Sequence, residues 1–415
     1  MRRRALAGGG LTLVMLVSAC SSPSVGQVRH VTATTSVPTT TGEPPATLPS
    51  AVPTTVPGPV VPEVGWSRPA TSLPPAGGFT SLSCISDVFC LSAGGGSNQA
   101  DTSSSTGPGV VASWDGAAWS PSATYFATSP GIAPPPWLAA IDCTHGPLCA
   151  VVDGSGHTAI GDGTTWSLPA PLPPALAALP DPSDPGPGRS GSRSAAVSCS
   201  DSRFCAYVDN TGHVATMNET TWSTPQVLTT RIGGSTVALF QSGRVGVSCS
   251  NPSRCTALLG ADVLDWNGIS WLTSSAPWGP GASSGDAAVS CPLPGNCVAV
   301  HGSSVSVRTS GGGWSPPRSI DGNGHLDALA CPTVAMCVAS DAYGYIVRLS
   351  GGVWTAPLKV VPTPATYSGD GTSLSCPTDL FCMVLNGDGD YVTWQGAPVP
   401  VTATTATTPP GPGSP

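Results

Sequence analysis

Charged residues are scarce in this chain of 415 residues. Asp, Glu, Lys and Arg together make up 9% of it, with Lys359 as the single lysine and only three glutamates. The formal net charge is -8, and no stripe of basic residues is present that could neutralise nucleic-acid phosphates. We therefore expect no nucleic-acid partner.

Amphipathic helical runs are also scarce. Gly (51) and Pro (46) together approach a quarter of the chain, a level that can indicate disorder. However, 12 Trp and 15 Cys argue against disorder throughout. Because Gly, Ser, Thr and Val dominate the remainder, the composition predicts an all-β protein.

The first twenty residues have the pattern of an export signal. Basic residues Arg2–Arg4 precede an apolar core, Leu11–Val17, that is too short to span a membrane. The segment ends in Leu16–Cys20 (LVSAC), which resembles the lipobox of bacterial lipoproteins. This resemblance implies that residues 1–19 are removed and that Cys20 carries a lipid, which would anchor the exported chain to the outer face of the cell membrane. The alternative is an ordinary secretory peptide with an incidental cysteine.

Two segments have low sequence complexity. Residues 20–62 begin with the predicted lipidated cysteine and continue as a stretch rich in Thr, Pro and Ser. Such a stretch buries too little apolar area to offset its ordering entropy, and its prolines keep it extended. We expect a disordered stalk there and a similar disordered tail at 402–415.

Seven cysteine pairs divide residues 63–401 into repeats. The two cysteines of each pair are six residues apart, and successive pairs begin 40 to 59 residues apart, the range of propeller blades with variable loops. An aliphatic residue stands two positions before each pair, and a small residue stands three positions before it. The pairs are Cys84–Cys90, Cys143–Cys149, Cys199–Cys205, Cys249–Cys255, Cys291–Cys297, Cys331–Cys337 and Cys376–Cys382.

Each repeat continues with an apolar strand, a Gly-rich turn and a third strand. Pairs such as Asp115-Gly116 and Asn267-Gly268 come next. They predict hairpin turns, because these residue pairs adopt the positive φ that such a turn needs. Repeat three departs from this pattern with Asn218-Glu219. Six repeats then begin a fourth strand with a tryptophan, at Trp119, Trp166, Trp222, Trp271, Trp314 and Trp354. Residues 63–401 are therefore predicted to form a seven-bladed β-propeller with four-stranded antiparallel blades.

The seventh repeat lacks its tryptophan. Val399 stands in the corresponding position, but Trp66 precedes the first repeat by 18 residues, within the usual interval from tryptophan to cysteine. We expect the N-terminal strand at Trp66 to complete blade seven and so close the ring, which removes a free sheet edge. In the alternative arrangement, Val399 closes its own blade and Trp66 is a cap.

The cysteine pairs are predicted to be disulfide bonds. An even separation places both cysteines on one face of a hairpin, and an exported protein meets an oxidising environment. Zinc sites usually use cysteines with two to four residues between them, so we expect no metal. No catalytic or cofactor motif stands out either, and we expect no cofactor.

The Gly-x-x-Trp turn of these repeats resembles the Asp-box of sialidase-type propellers. In this chain the Asp or Asn stands directly before the glycine, whereas in that family it stands two positions before it. Sialidase chemistry needs an arginine cluster, a tyrosine nucleophile and acids, and Thr230–Gly233 matches the arginine motif only faintly because it lacks the proline. The resemblance thus implies a secreted, Asp-box-like propeller without sialidase activity.

Alternating strand directions sort the loops of a propeller onto two faces. Cysteine hairpins and Asp-Gly turns share one face, which we call the cysteine face. The loops between second and third strands share the other, the connector face, with the blade-to-blade connectors and all the length variation. Variable loops on a rigid scaffold are the usual seat of binding. Candidate ligand contacts there, each with the alternative role of anchoring its own loop, are Tyr125, Phe126, Trp137, Arg231, Arg244, Trp278 and His301.

Two functions follow as hypotheses. The first is a monomeric, lipid-anchored module at the cell surface that binds or scaffolds an extracellular protein or glycan without catalysis. The alternative is an extracellular propeller enzyme, glycosidase- or lyase-like, that uses Asp residues in the channel or on the loop face. A pocket with converging, desolvated Asp and Arg would favour the enzyme, and a broad aromatic-rich face would favour binding.

Overall fold

The chain forms a seven-bladed propeller of antiparallel strands. The computed structural model describes residues 65–67, 69–71, 79–95, 109–120, 123–124, 138–144, 146, 148–153, 156–172, 194–232, 235–239, 243–279, 286–322, 326–363 and 371–396. For residues 71, 123–124, 230–232 and 235–238 it describes the backbone only. The predicted signal peptide, lipidated Cys20, stalk, tail and Val399 lie outside the described residues.

The strands follow the repeat. The N-terminal strand is β1 (Ala70–Thr71). Blade 1 contains β2 (Phe79–Ser86), β3 (Phe89–Gly95), β4 (Gly109–Trp114) and β5 (Ala123–Thr124). Blade 2 contains β6 (Leu138–Cys143), β7 (Cys149–Asp153), β8 (His157–Gly161) and β9 (Ala170–Pro171). Blade 3 contains β10 (Ala195–Asp201), β11 (Phe204–Asp209), β12 (His213–Asn218), β13 (Thr221–Trp222) and β14 (Gln226–Val227).

The second half of the ring repeats this order. A separate hairpin, β15 (Thr229–Ile232) and β16 (Ser235–Ala238), connects blades 3 and 4. Blade 4 contains β17 (Gly246–Asn251), β18 (Arg254–Leu259), β19 (Asp262–Trp266) and β20 (Trp271–Ser275). Blade 5 contains β21 (Ala287–Leu293), β22 (Asn296–His301), β23 (Ser304–Arg308) and β24 (Arg318–Ser319). Blade 6 contains β25 (Leu326–Thr333), β26 (Met336–Asp341), β27 (Tyr345–Ser350), β28 (Val353–Trp354) and β29 (Leu358–Lys359). Blade 7 contains β30 (Thr372–Thr378), β31 (Phe381–Asn386) and β32 (Asp390–Gln395).

The N-terminal strand completes blade 7, as predicted. The sheet order is β1-β32-β31-β30, and Ala70 pairs with Tyr391. Trp66 forms a bridge to Trp394, and the Ser67 N–H donates to the Thr393 carbonyl at 2.7 Å. Blade 7 therefore receives its outer strand from the start of the propeller, which joins the two ends of the ring.

The repeated tryptophans pack between blades. Each of seven hydrophobic clusters joins two neighbouring blades and either includes one of these tryptophans or has one packed against it. Trp222, for example, packs with Leu148 and Val152 of blade 2, while Trp66 packs against the cluster between blades 6 and 7. The core is therefore divided into seven interblade layers, which explains why the tryptophan recurs once per repeat.

The predicted hairpin turns have the left-handed backbone that favours glycine. Gly116 has a φ of 95° and Gly268 a φ of 92°. In blade 3, where the glycine is missing, Glu219 adopts a φ of 59°. Among the described residues, Glu219 is the only non-glycine residue with a positive φ. The replacement of glycine by glutamate therefore strains the backbone at this turn.

The seven predicted disulfide bonds are present. Each joins the first two strands of a blade close to the hairpin between them, with Cα atoms 3.9 to 4.1 Å apart. So many disulfides indicate an oxidising, extracellular environment.

An unpredicted circuit of hydrogen bonds links the innermost strands of adjacent blades. The residue directly before a first cysteine accepts a hydrogen bond from the backbone N–H of the first cysteine in the next blade, at 2.7 to 3.0 Å. Five of these acceptors are serines: Ser83, Ser198, Ser248, Ser290 and Ser375. The sixth is Asp142, whose carboxylate also accepts from the Ser83 hydroxyl at 2.9 Å and the Cys143 N–H at 3.0 Å. Ala330 occupies the seventh position and has no side-chain acceptor, so the circuit is open between blades 6 and 7.

Candidate functional site

Short, rigid turns frame the connector face. An Asp or Asn ends the second strand of four blades and accepts hydrogen bonds from backbone N–H groups of the following turn. These residues are Asp153, Asp209, Asp341 and Asn386. Because each side chain accepts hydrogen bonds from the backbone of its own turn, these turns stay compact.

Several predicted ligand contacts are not described at the side-chain level. Tyr125, Phe126 and Trp137 lie outside the described residues. Arg231 lies in β15 opposite Thr236, in the hairpin that connects blades 3 and 4, but only its backbone is described. The structure describes the remaining three candidates, Arg244, Trp278 and His301, in full.

Trp278 and His301 lie together on the connector face. Their rings stack with centroids 5.1 Å apart and planes 16° from parallel. The Trp278 indole N–H donates to the Gly260 carbonyl at 3.0 Å, and one side of the ring packs on the cluster between blades 4 and 5. Both side chains remain half-buried. Trp278 thus anchors the connector between blades 4 and 5 while part of the stacked pair stays open to solvent.

Arg244 spans the axial opening at the connector face. It directly precedes the innermost region of blade 4, yet its Nη1 donates to the carbonyl of Thr372, the first residue of β30 in blade 7, at 3.1 Å. Blades 4 and 7 are three blades apart, which is the largest separation in a seven-membered ring. The Arg244 N–H also donates to Asp286 Oδ1 at 2.7 Å, which ties it to blade 5.

Asp327 lies beside this arginine and is sealed from solvent. Arg244 Nη1 is 4.0 Å from Asp327 Oδ2, and the Asp327 side chain is 0% exposed. Its two oxygens accept from the Thr372 N–H at 2.9 Å and the Thr372 hydroxyl at 3.0 Å. Gly371 lies so close to Oδ2 that a side chain at that position would overlap it. Burial raises the pKa of Asp327 to about 7, although the Arg244 charge and the Thr372 hydrogen bonds lower it.

Three further residues of this face were not predicted. Tyr343 lies in the turn between the second and third strands of blade 6, Tyr345 begins the third strand, and both are half-buried. The ammonium of Lys359 is 4.9 Å from the centre of the Tyr345 ring, and it donates to the Tyr343 carbonyl and to the Thr363 hydroxyl. We call Trp278, His301, Tyr343 and Tyr345 the aromatic arc, which follows the connector face across blades 4, 5 and 6.

A signal for the blade 6 residues is present in the sequence. The turn Asp341–Tyr345 aligns with Asp153–His157 of blade 2 and Asp209–His213 of blade 3. In those two blades the position of Tyr345 is a histidine whose Nδ1 lies 2.8 Å (His157) and 3.1 Å (His213) from the turn aspartate. Hydrogen bonding to Asp153 raises the pKa of His157. Those histidines serve their own turns, whereas Tyr345 and Tyr343 place aromatic rings on the face.

The described residues contain no group of three or more His, Cys, Asp or Glu side chains placed to hold a metal ion. Within the same residues, no helix is long and apolar enough to cross a membrane.

No protein-family model matches the chain, and no curated protein matches its sequence. Solved propellers match its fold. YCF48 bound to a D1 peptide is 15% identical with a TM-score of 0.51, over 80% of this chain and 97% of that one. Virginiamycin B lyase from Staphylococcus aureus is 8% identical with a TM-score of 0.52, over 80% of this chain and 100% of the lyase. The WD40 propeller domain of Doa1 is 12% identical with a TM-score of 0.51, over 81% and 98%. These similarities show a shared fold, and they include both a peptide complex and an enzyme.

Proposed function

We propose that this protein is an exported, lipid-anchored propeller that binds an extracellular protein or glycan through its connector face without transforming it. In this proposal the lipid on Cys20 holds the chain at the membrane, and the segment up to residue 62 keeps the propeller away from it. The seven disulfides support the extracellular location, since such bonds persist in oxidising environments.

The aromatic arc is the observation that carries the proposal. Tyrosine and tryptophan bury large areas at little cost in side-chain entropy, and they dominate binding energy at interfaces. Here four aromatic or imidazole rings lie half-buried on one face across three consecutive blades. The disulfides and the interblade tryptophans make the scaffold beneath them rigid, so little ordering is needed on binding.

An extracellular enzyme, glycosidase- or lyase-like, is the second candidate because Arg244 and a buried acid converge on the same face. The pKa of about 7 would suit a general acid or base at Asp327. However, a catalytic carboxyl must reach the substrate, and the Asp327 side chain is 0% exposed with both oxygens bonded to Thr372. This geometry suits a structural bridge between blades 4, 6 and 7 better than a catalytic group.

We expect Tyr343→Ala to weaken ligand binding at least tenfold. The side chain is half-buried on the arc, and its removal leaves the backbone turn held by Asp341 intact. The measurement begins with a glycan array and a panel of extracellular proteins, probed with the chain from residue 21 onward. Titration calorimetry then compares the wild type and the variant for the ligand found.

Val353→Ala is the matched control. Val353 belongs to the same blade, is 63% exposed and lies just after the hairpin turn on the cysteine face. The proposal requires that this variant bind as tightly as the wild type. Equal affinity for Tyr343→Ala, or turnover of the ligand during the titration, would reverse the ranking of the two candidates.

A further inference from the structure

The outer strand of blade 4 departs from the pattern of the other six blades. In those blades a proline follows the repeated tryptophan by two or three positions, at Pro69, Pro121, Pro169, Pro225, Pro316 and Pro357. Each named outer strand in those blades is only two residues long. In blade 4 the proline is displaced to Pro277, six positions after Trp271, and β20 runs for five residues. Prolines and short strands protect sheet edges from further pairing, and blade 4 lacks both devices.

The free edge of β20 presents unpaired backbone groups. Antiparallel ladders alternate between bonded and non-bonded pairs. The Asn267 N–H donates to the Ser270 carbonyl and the Ala276 N–H donates to the Ala261 carbonyl, so the backbone groups of Leu272 and Ser274 face β19. The backbone N–H and C=O groups of Thr273 and Ser275 face outward, and no described strand forms ladder hydrogen bonds with them. Leu272–Ser275 are all exposed, and none of them is charged.

A groove lies beside this edge, between blades 4 and 5. It has a volume of about 490 Å³, and its lining includes Leu272 and Trp266 of blade 4 together with Pro294 and the turn 309–312 of blade 5. Leu272 is 55% exposed, which is unusual for a leucine in a strand. Leu272 and Trp266 therefore give the blade 4 side of the groove an apolar portion.

The described lining of the groove has two positively charged side chains and one negatively charged side chain. Arg308 and Asp265 form a two-pronged ion pair, with Nη1–Oδ2 at 2.8 Å and Nη2–Oδ1 at 2.9 Å. The Arg308 guanidinium also lies 4.9 Å from the centre of the Trp314 ring. Arg254 is exposed, and among the residues that the structure describes no acid other than Asp265 lines the groove. One positive charge is thus left for an incoming group.

We propose that β20 is a docking edge for an extended peptide segment of a partner protein that carries an acidic residue. The partner strand pairs with the outward N–H and C=O groups of Thr273 and Ser275, as in β-strand addition. Its side chains on one face enter the groove, where an apolar residue meets Leu272 and a carboxylate meets Arg254. This edge lies on the rim of the ring, apart from the aromatic arc, so its failure would leave the connector-face proposal unaffected.

Thr273→Pro tests the edge. It creates the Trp-x-Pro pattern found in blades 1 and 5, and it removes an N–H that no ladder bond uses, so the blade should fold as before. Thr273→Val is the matched control, because it changes the side chain and keeps the N–H. The probe is an array of ten-residue peptides in which Val and Thr alternate with Ser, each made with a single Glu and with Gln in its place.

The wild type and Thr273→Val are expected to bind the Glu peptides, and Thr273→Pro to bind them at least tenfold more weakly. Amide hydrogen exchange should show that the best peptide protects Thr273 and Ser275. Equal binding by a folded Thr273→Pro protein, or no preference for Glu over Gln, would overturn the proposal. So would protection of these two amides that rises with protein concentration in the absence of peptide, because the occupant would then be a second copy of the chain.

Discussion

Reduction of the disulfides is expected to unfold the propeller at temperatures where the oxidised protein is stable. By the chain-entropy model, a loop of this size stabilises the folded state by about 2 kcal/mol per bond. Seven such bonds contribute about 14 kcal/mol, which is near the upper end of the stability of a typical domain. Thermal unfolding followed by circular dichroism, with and without a phosphine reductant, measures the effect.

Replacement of one pair provides the control for this prediction. Cys291→Ala combined with Cys297→Ala removes a single bond from blade 5 and should lower the free energy of unfolding by about 2 kcal/mol, without loss of the fold. A reduced protein that melts at the same temperature as the oxidised one would show that the disulfides do not staple the blades.

The protein is expected to be more stable at pH 5 than at pH 8. Burial raises the pKa of Asp142 to about 6 and that of Asp327 to about 7, above the ordinary value of 3.8. The folded state therefore binds protons more tightly than the unfolded state in this range, and its stability falls as pH rises through these values. Titration of both groups should lower the free energy of unfolding by about 4 kcal/mol between pH 5 and pH 8. Urea unfolding at the two pH values measures the difference.

The other groups with shifted pKa values change the stability in the same direction or do so outside the range of pH 5 to pH 8. The raised pKa of His157 also gives stability that is lost as pH rises. The pKa values of Asp115 and Asp162 are lowered by hydrogen bonds in their turns, so they affect stability only at more acidic pH. The experiment therefore stays at pH 5 and above.

Asp142→Ser isolates one contribution to the pH effect. Five other blades have serine at this position, and a serine hydroxyl can still accept from the Cys199 N–H that Asp142 now satisfies at 2.7 Å. This variant should fold, and its stability should depend less on pH than that of the wild type. A wild-type protein that is more stable at pH 8 than at pH 5 would contradict the assignment of raised pKa values to both carboxyls.

The periodicity of the sequence predicts the architecture because each repeat carries its own folding signals. Cysteine spacing, Asp-Gly turns and the recurring tryptophan each specify a local feature, and the orphan Trp66 indicates how the ring closes. What the sequence did not reveal depends on contacts between blades. The serine before five of the first cysteines looks like an ordinary polar residue until the next blade brings a cysteine N–H to within 3.0 Å of it.

The site was less predictable than the fold for the same reason. Arg244 is predictable from the sequence as a candidate ligand contact, yet its partners Thr372 and Asp327 are 128 and 83 positions away, and only closure of the ring brings them together. Tyr343 and Tyr345 are harder to predict as site residues because they lie at the Gly-rich turn that every repeat contains. The long outer strand of blade 4 was visible as a displaced proline, but its free edge follows only from the strand register.

The central claim is that the aromatic arc on the connector face binds the ligand. Amide hydrogen exchange on the chain from residue 21 onward, with and without the ligand identified on the arrays, tests it most directly. We expect added protection in residues 276–279, 301–302 and 341–345, no change at the cysteine hairpins, and a ligand of unchanged mass. Protection confined to the cysteine face, or recovery of the ligand as a product of altered mass, would contradict the account.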